Sequence, residues 1–381
     1  MSAEHLDRRI ALARAHVRTI DADALFVSHL PNLAWLTGFF ASSGGLLLTL
    51  ADPALHLITD FRYAHAAGRL GDRGQLPSDT RITITDRSVD EAAAALVETA
   101  GCEAVAVESD HLTLRRARRL EARLPKGARL VATDPFLEQM RAIKDGVELR
   151  IYREAAARLA EVARRVPALL GQGRSERDIA ADIDHAIKRG GFDRTPFDTI
   201  VASGPNSALP HARPTSRRLR GGDPVVLDFG GVYKGYCVDL TRTAFVGHPT
   251  KEFLGVFDAV SAAQAAAIAA VRDGIHASAV DAAARQVLAD RGLGEAFGHA
   301  TGHGLGIDVH EYPRIGAAPP DGEDPIIRAG MIVTIEPGAY RADLGGVRIE
   351  DDVHVLPGAG AGGGAEILTD IPRGLMIPGA Q

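Results

Sequence analysis

Cysteine is nearly absent from this 381-residue chain, which carries only Cys102 and Cys237. A disulfide framework is thereby excluded, and a reducing cytoplasm is the simplest expected location. Aromatic side chains are sparse, at 5%, with a single tryptophan. Positive charge is not in excess. Lys and Arg number 43 against 49 Asp and Glu, a formal net charge of −6, so a basic nucleic-acid footprint is missing. Apolar runs are short. Gly44 to Leu50 is among the longest and falls far below the ~20 residues that a bilayer span needs. Met1 to Ile10 is charged and lacks the apolar stretch of a signal peptide. Neither nucleic acid nor membrane is therefore expected as a partner. What is present is ordinary globular material, 46% hydrophobic and 24% charged. That excludes a disordered or fibrous chain. At ~150 residues per domain the length suggests two domains, one of them large. Histidine is the exception to the general scarcity, with 14 residues.

The first third reads as alternating helices and strands. Helices are expected over Ser2 to Thr19, Phe61 to Leu70, Asp90 to Ala100 and the basic stretch Leu112 to Leu124. Strands are expected over Asp23 to Ser28, Leu46 to Leu50, Leu55 to Thr59, Glu103 to Val107 and Arg129 to Ala132. This is an α/β domain with a mixed sheet, ending near Asp134-Pro135. A long helix, Lys144 to Leu170, opens the second part and stops at Gly171-Gln172-Gly173. Ser175 caps the next helix, Glu176 to Arg189, with Asp178 completing a capping-box pattern. From Phe197 the chain turns to strands and Gly-rich turns, with helices at Glu252 to Arg272 and Ser278 to Asp290. The domains are expected at 1–138 and 139–381, an α+β architecture overall. Gly358 to Gly364 reads as a surface loop.

Two hairpins present paired carboxylates. Asp228 and Asp239 lie in VVLDFGGVYKGYCVDLTRT, flanked by apolar strands. A turn centred on Tyr233-Lys234 sets them directly opposite, where cross-strand side chains lie within ~5 Å. Two ionised carboxylates buried so closely repel each other unless a cation sits between them. Alone, this hairpin suits surface aspartates equally well. Glu336 and Glu350, in MIVTIEPGAYRADLGGVRIEDDV, repeat the construction about a loop centred on Asp343. Two independent hairpins of this kind make a surface role far less credible. His299, His303 and His310 fall in GHATGHGLGIDVHEYP, where Gly302, Gly304 and Gly306 allow close backbone approach. Four carboxylates and an imidazole suit two divalent ions sharing bridging ligands. Oxygen-rich donors favour Mn2+, with Co2+, Zn2+ or Fe2+ as alternatives. Such a pair generates hydroxide at neutral pH and polarises a carbonyl, which implies hydrolysis of an amide. Cys237 shares a strand face with Asp239 but reads as a small packed residue. Trp35 reads as a packing or subunit-contact aromatic, and Arg115 to Arg119 as a solvated helix face.

The ordered set LDFG, VDLTRT, GHGLG with VHE, IEPG and RIED resembles the pita-bread metallopeptidases, the family of methionine aminopeptidase, aminopeptidase P and prolidase. Phe197 to Val201 and Pro210-His211 match further segments. Trp35-Leu36-Thr37-Gly38-Phe39 and Thr59-Asp60-Phe61-Arg62-Tyr63 resemble the creatinase-type N-terminal domain, which methionine aminopeptidases lack. The resemblance implies that Asp228 holds one metal, that Asp239 and Glu350 bridge both, and that His303 and Glu336 complete the second. Glu336 would also act as general base. His310 would hydrogen-bond the scissile carbonyl or a developing charge, with His211 assisting from the opposite wall. His299 would line a proline pocket, and Tyr340 and Arg348 would fix the ligands and help at the active centre, Arg348 in catalysis and Tyr340 in substrate binding. For Arg348 the plainer alternative is a strand cation paired with Asp351 or Asp352. The implied enzyme is an Xaa-Pro aminopeptidase with two metal ions, acting on proline-containing peptides and forming a homodimer. An Xaa-Pro dipeptidase stands beside it. A metal-free creatinase-like amidinohydrolase and a non-enzymatic binding module are the more distant expectations.

Overall fold

The computed structural model describes residues 2–320, 322–358 and 364–378. Most of the loop expected over Gly358 to Gly364 lies outside them. The chain divides into two compact units, one up to Arg141 and one from Ala142 onward.

In the first unit, six strands form one mixed sheet among the described residues. They are β1 (Ala24–Val27), β2 (Gly45–Thr49), β3 (Leu55–Asp60), β4 (Thr80–Thr85), β5 (Ala104–Glu108) and β6 (Arg129–Thr133), in the order β4-β3-β2-β1-β5-β6. β1, β5 and β6 run parallel, as do β3 and β4, while β2 is antiparallel to both neighbours. Helices α1 (Ala3–Val17), α2 (Leu30–Thr37), α3 (Ala64–Asp72), α4 (Val89–Ala100), α5 (Leu114–Glu121) and α6 (Phe136–Ala142) complete it. β1 and β2 are buried along their whole length, which is why they read as continuous apolar runs. Phe26, Leu47, Ile58, Val97, Val105 and Leu120 meet in the core.

Three of these elements, α2, β4 and α6, were not anticipated. α2 is short and carries Pro31 in its first turn. There the missing N–H is harmless, although proline inside a pattern normally reads as a break. β4 is a half-exposed parallel edge strand with little apolar content. Trp35 is buried with the Arg9 guanidinium 4.7 Å over its ring, so it is a packing residue. On α5, Arg116 pairs with Asp90, while Arg115, Arg118 and Arg119 face solvent.

The second unit opens with α7 (Gly146–Ala163), shorter than the helix expected over Lys144 to Leu170. Asp145 caps it through Val147 and Glu148. Its end gives way to a 3-10 turn at Val166–Leu169, where Pro167 cannot continue an α-helix. α8 (Glu176–Arg189) has the expected reciprocal cap between Ser175 and Asp178. α9 (Lys251–Ala270) and α10 (Ala277–Asp290) follow. α9 meets the length and hydropathy of a membrane span, with a mean hydropathy of 1.6 over its most apolar window. By sequence, no run is expected to reach that far. In this fold Phe253, Val256, Phe257, Val260, Ala263 and Ala267 of α9 instead pack in the core with Val280, Ala284 and Leu288 of α10.

Three sheets carry the rest among the described residues. β7 (Ile200–Ser203), β8 (Pro224–Tyr233) and β9 (Tyr236–Phe245) form one. β10 (Gly302–Gly304), β11 (Glu311–Ile315), β12 (Ile332–Ile335), β15 (Asp351–Val355) and β16 (Ala365–Ile367) form the second, in the order β11-β10-β12-β15-β16. β13 (Gly338–Arg341) and β14 (Gly345–Arg348) form a two-stranded ribbon. The α+β class expected from the sequence is what the chain adopts.

Candidate metal centre

The β8–β9 hairpin supplies Asp228 and Asp239. Its loop is Lys234-Gly235, with φ of 51° and 86°, and Tyr233 pairs with Tyr236. Both positions carry the positive φ of the two-residue turns that match strand twist, and glycine adopts it without strain. The turn thus lies one residue further on than expected. Asp228 pairs with Thr241, and Asp239 pairs with Gly230. The two acids are diagonal neighbours rather than directly opposed. Because the displacement is two positions, they still share one face of the hairpin.

The second pair keeps its expected register. Ile335 pairs with Asp351 and Gly338 with Arg348, so Glu336 and Glu350 occupy the opposed positions between. Pro337 interrupts the ladder there, and Glu350 N–H donates instead to Thr241 O at 3.1 Å. That bond ties one hairpin to the other. His303 sits on β10 between Gly302 and Gly304. A Cβ on Gly302 would lie 1.9 Å from Thr334 O, and one on Gly304 would lie 2.2 Å from Tyr312 O. Only glycine lets the neighbouring backbones hold His303 at this depth.

The expected residues converge. Asp228, Asp239, His211, His299, His303, His310, Glu336, Arg348 and Glu350 all line one cavity of ≈ 530 Å³. Ligand atoms of Asp239, His303 and Glu350 lie within 4.8 Å of one another. His303 Nδ1 faces Gly304 O at 2.9 Å, which places its proton there and leaves Nε2 with a lone pair, 3.6 Å from Glu336 Oε1. Tyr340 stands behind the wall. Its hydroxyl accepts from Arg348 at 2.9 Å and donates to His299 Nε2 at 3.0 Å. Arg348 also donates to Asp228 Oδ2 at 2.6 Å, Pro210 O at 3.1 Å and Thr241 Oγ1 at 3.1 Å. It pairs with neither Asp351 nor Asp352. Cys237 is buried, with its thiol on Ile307 O at 3.4 Å, and so packs as expected.

The electrostatics are those of a site built for cations. Burial, then Asp228, Asp352 and Glu336, push Asp239 well above the usual carboxylate range. Burial, then Asp239, Glu336 and Asp228, do the same to Glu350. Burial raises Glu336 to about 8, against the pull of Arg348. Burial lowers His303 and His299 to about 4, and desolvation with His211 lowers His310. Asp228 Oδ1 is buried with no hydrogen-bond partner. Clustered acids that resist ionisation, an orphaned carboxylate oxygen and an imidazole lone pair together match divalent cations.

A supporting layer escaped the sequence reading. Arg242 is fully buried and donates to Glu350 O, Thr241 O and Asp351 Oδ1. Gln264, Thr369 and Arg373 also donate to Asp351. Asp239 N–H donates to Asp352 Oδ2 at 3.1 Å. An arginine within the apolar β9 strand was the available signal, since such a cation demands buried acceptors. Arg314, Arg213 and Asp198 on the cavity wall carried no comparable signal.

Comparison with known proteins agrees with this geometry. Residues 150–357 match the model of "Metallopeptidase family M24", and 9–143 match "Creatinase/Prolidase N-terminal domain". The Xaa-Pro dipeptidase of Pyrococcus horikoshii is 31% identical over 93% of this chain and 94% of its own. The solved Xaa-Pro dipeptidase of Bacillus anthracis superposes with TM-score 0.87 at 30% identity, covering 99% of this chain and 100% of that one. The X-Pro aminopeptidase of Thermotoga maritima gives TM-score 0.81 at 30% identity, covering 94% and 99%. With a metal-suited cavity and both family models matched in chain order, the chain belongs to metallopeptidase family M24.

Proposed function

We propose that this chain is a two-metal peptidase that hydrolyses the peptide bond preceding proline, acting on Xaa-Pro dipeptides. The observation that carries the reading is the single cavity lined by Asp228, Asp239, His303, Glu336 and Glu350. The dipeptidase form is favoured because relatives matched over nearly the whole chain bear that description. The likeness to the Thermotoga maritima X-Pro aminopeptidase supports the second form, release of the N-terminal residue from longer peptides.

Asp228 would hold one ion, His303 and Glu336 the other, and Asp239 and Glu350 both. The oxygen-rich donor set favours Mn2+, with Co2+, Zn2+ or Fe2+ also accommodated. When bound, the ions supply a polarised carbonyl and a water of lowered pKa. The protein groups do the rest. Glu336 accepts a proton from the attacking water and passes it to the leaving nitrogen. That transfer is obligatory, because an amide nitrogen departs only after it has gained a proton. His310, neutral at pH 7, donates to the scissile carbonyl oxygen, and His211 faces it across the cavity. His299, held neutral by burial and fixed by Tyr340, offers a flat wall to the proline ring. Arg348 positions Asp228 and Tyr340. A homodimer and a cytoplasmic setting accompany this reading. The two buried, unbridged thiols Cys102 and Cys237 support the latter.

The test is a panel of Xaa-Pro and Xaa-Pro-Xaa peptides assayed with added Mn2+, Co2+ or Zn2+. Preferential hydrolysis of the dipeptides is expected. Preference for tripeptides would assign the aminopeptidase, and no cleavage with any ion would refute both. Full activity after exhaustive chelation would point to the metal-free alternative.

A further inference from the structure

A second group of side chains able to hold a metal ion lies in the first unit, independent of the cavity above. β1, β5 and β6 are adjacent and parallel. Just beyond their carboxyl ends the chain places His29, His111 and Glu138. In open α/β sheets the crevice beyond the carboxyl ends of the strands is where ligands bind. Ligand atoms of the three residues lie within 4.8 Å of one another. His111 Nε2 is 2.9 Å and His29 Nδ1 is 3.7 Å from Glu138 Oε1. Donors each ~2.1 Å from a common ion stand at about these separations. Beside them is a cavity of ≈ 10 Å³, bordered by Glu108, His111, Asp134 and Glu138.

The three residues are held by a buried scaffold. Glu108 accepts Ser28 N–H at 2.6 Å and His29 N–H at 2.8 Å, fixing the backbone that carries His29. Asn32, fully buried, donates to Glu108 Oε1 at 2.8 Å and to Glu138 Oε1 at 2.5 Å. Arg141 donates to Asn32 Oδ1 and fixes the amide orientation. Burial opposes ionisation of Glu138, but hydrogen bonds from His29 and Asn32 prevail and hold it at about 2, so it is a carboxylate at neutral pH. The two imidazoles stack at 3.4 Å with 2° between planes. Parallel rings cannot both aim their in-plane lone pairs at one ion, so binding requires one imidazole to tilt out of the stack.

We propose that His29, His111 and Glu138 form a third divalent-metal site, of the borderline Zn2+ class, clamping the ends of three parallel strands in the first unit. Two imidazoles and one carboxylate suit Zn2+, Co2+, Ni2+ or Fe2+ over Mg2+ or Ca2+. Water would complete the coordination, since both imidazoles are partly exposed. The site does not rest on the peptidase reading and serves a structural purpose.

The experiment counts Zn2+ per chain by equilibrium dialysis and elemental analysis. It compares the full-length wild type with His111→Ala, Glu138→Gln and the control His276→Ala, whose imidazole is exposed beside Asp324. His111→Ala and Glu138→Gln should each bind one equivalent fewer. Their Zn2+-induced rise in Tm should shrink relative to wild type, with peptidase activity and the two remaining equivalents unchanged. The affinity for that one equivalent should fall by at least the about 10- to 100-fold that loss of an outer-shell partner costs. Equal counts and affinities in wild type and both variants would overturn the proposal. So would a third equivalent in the wild type seen only at millimolar Zn2+. Glu138→Gln preserves shape and the Asn32 contact, so it decides the matter if His111→Ala folds poorly.

Discussion

Stripping the metal should reverse the usual dependence of stability on pH, and Glu336 sets the size of the effect. Burial holds its folded pKa at about 8 against an ordinary 4.5. Between these values the folded, metal-stripped chain binds more protons than the unfolded one. The stability from this group is therefore fully present below about pH 4.5 and is lost as pH rises through about 8. At ~1.36 kcal/mol per unit, the whole shift has a ceiling of about 5 kcal/mol. His299 and His303 act in the opposite direction. Their folded pKa of about 4 lies below the ordinary 6.5, so they cost stability as pH falls from 6.5 to 4. Above about pH 6.5 that opposing slope is spent, and from there to about pH 8 Glu336 alone is worth about 2 kcal/mol. Asp239 and Glu350, also pushed upward, add in the same direction.

The assay is urea unfolding of chelator-treated protein at half-unit steps across this window. The midpoint should fall by roughly 1 M as pH rises, given a slope near 2–3 kcal/mol/M. Glu336→Gln is neutral at every pH and should lose about 2 kcal/mol of that dependence. Loaded with metal, the wild type should lose the descending slope, because cations replace the protons that hold the acids neutral. A metal-stripped wild type whose stability is flat or rises over the window would refute the reasoning. So would a Glu336→Gln variant with the same decline.

Replacing Asp239 or Glu350 by alanine should abolish nearly all activity and lower the metal count, whereas full activity at an unchanged count would exclude them as bridging ligands. Arg348→Ala leaves the partly buried Asp228 without its partner and should destabilise the metal-stripped protein by up to about 3 kcal/mol in urea unfolding, the low end for a buried pair. Arg348→Lys should recover part of that stability but not the contacts to Tyr340 and Pro210. Gly302→Ala drives a Cβ to 1.9 Å from Thr334 O. It should cost at least about 3 kcal/mol, the top of the usual overpacking range, while Gly298→Ala meets nothing within 4 Å and should stay within about 0.5 kcal/mol of wild type.

Much of the site was legible because its candidate donors lie on strands or directly at strand ends, where a period of two assigns faces without knowledge of the fold. The Glu336–Glu350 register followed from the loop about Asp343 and is the register observed. For Asp228 and Asp239 the turn was misplaced by one residue, since nothing local reveals that Lys234 takes a positive φ. Facing was preserved only because the resulting displacement is an even number of positions. The Ser175 cap was readable because it is a contact three residues apart. The overlong helix from Lys144 failed because apolar spacing persists past Ala163, where Pro167 already forbids an α-helix. α9 was read as a helix but not as one of membrane-span composition. Its burial face is decided by α10, a partner outside its own sequence.

By itself the sequence determined the donor types, their order and the strand faces that carry them, because these depend on residue chemistry and short-range backbone periodicity. Tertiary structure alone decided which donors meet. It turned Arg348 toward Asp228 and Tyr340 rather than toward the acids next to it in the chain. It set Arg242 beneath Glu350 as a buried brace. It also drew His29, His111 and Glu138 to the ends of three parallel strands. No local pattern encodes such meetings. They arise when distant segments bury their apolar faces together, and the polar groups carried along must then find partners across the chain.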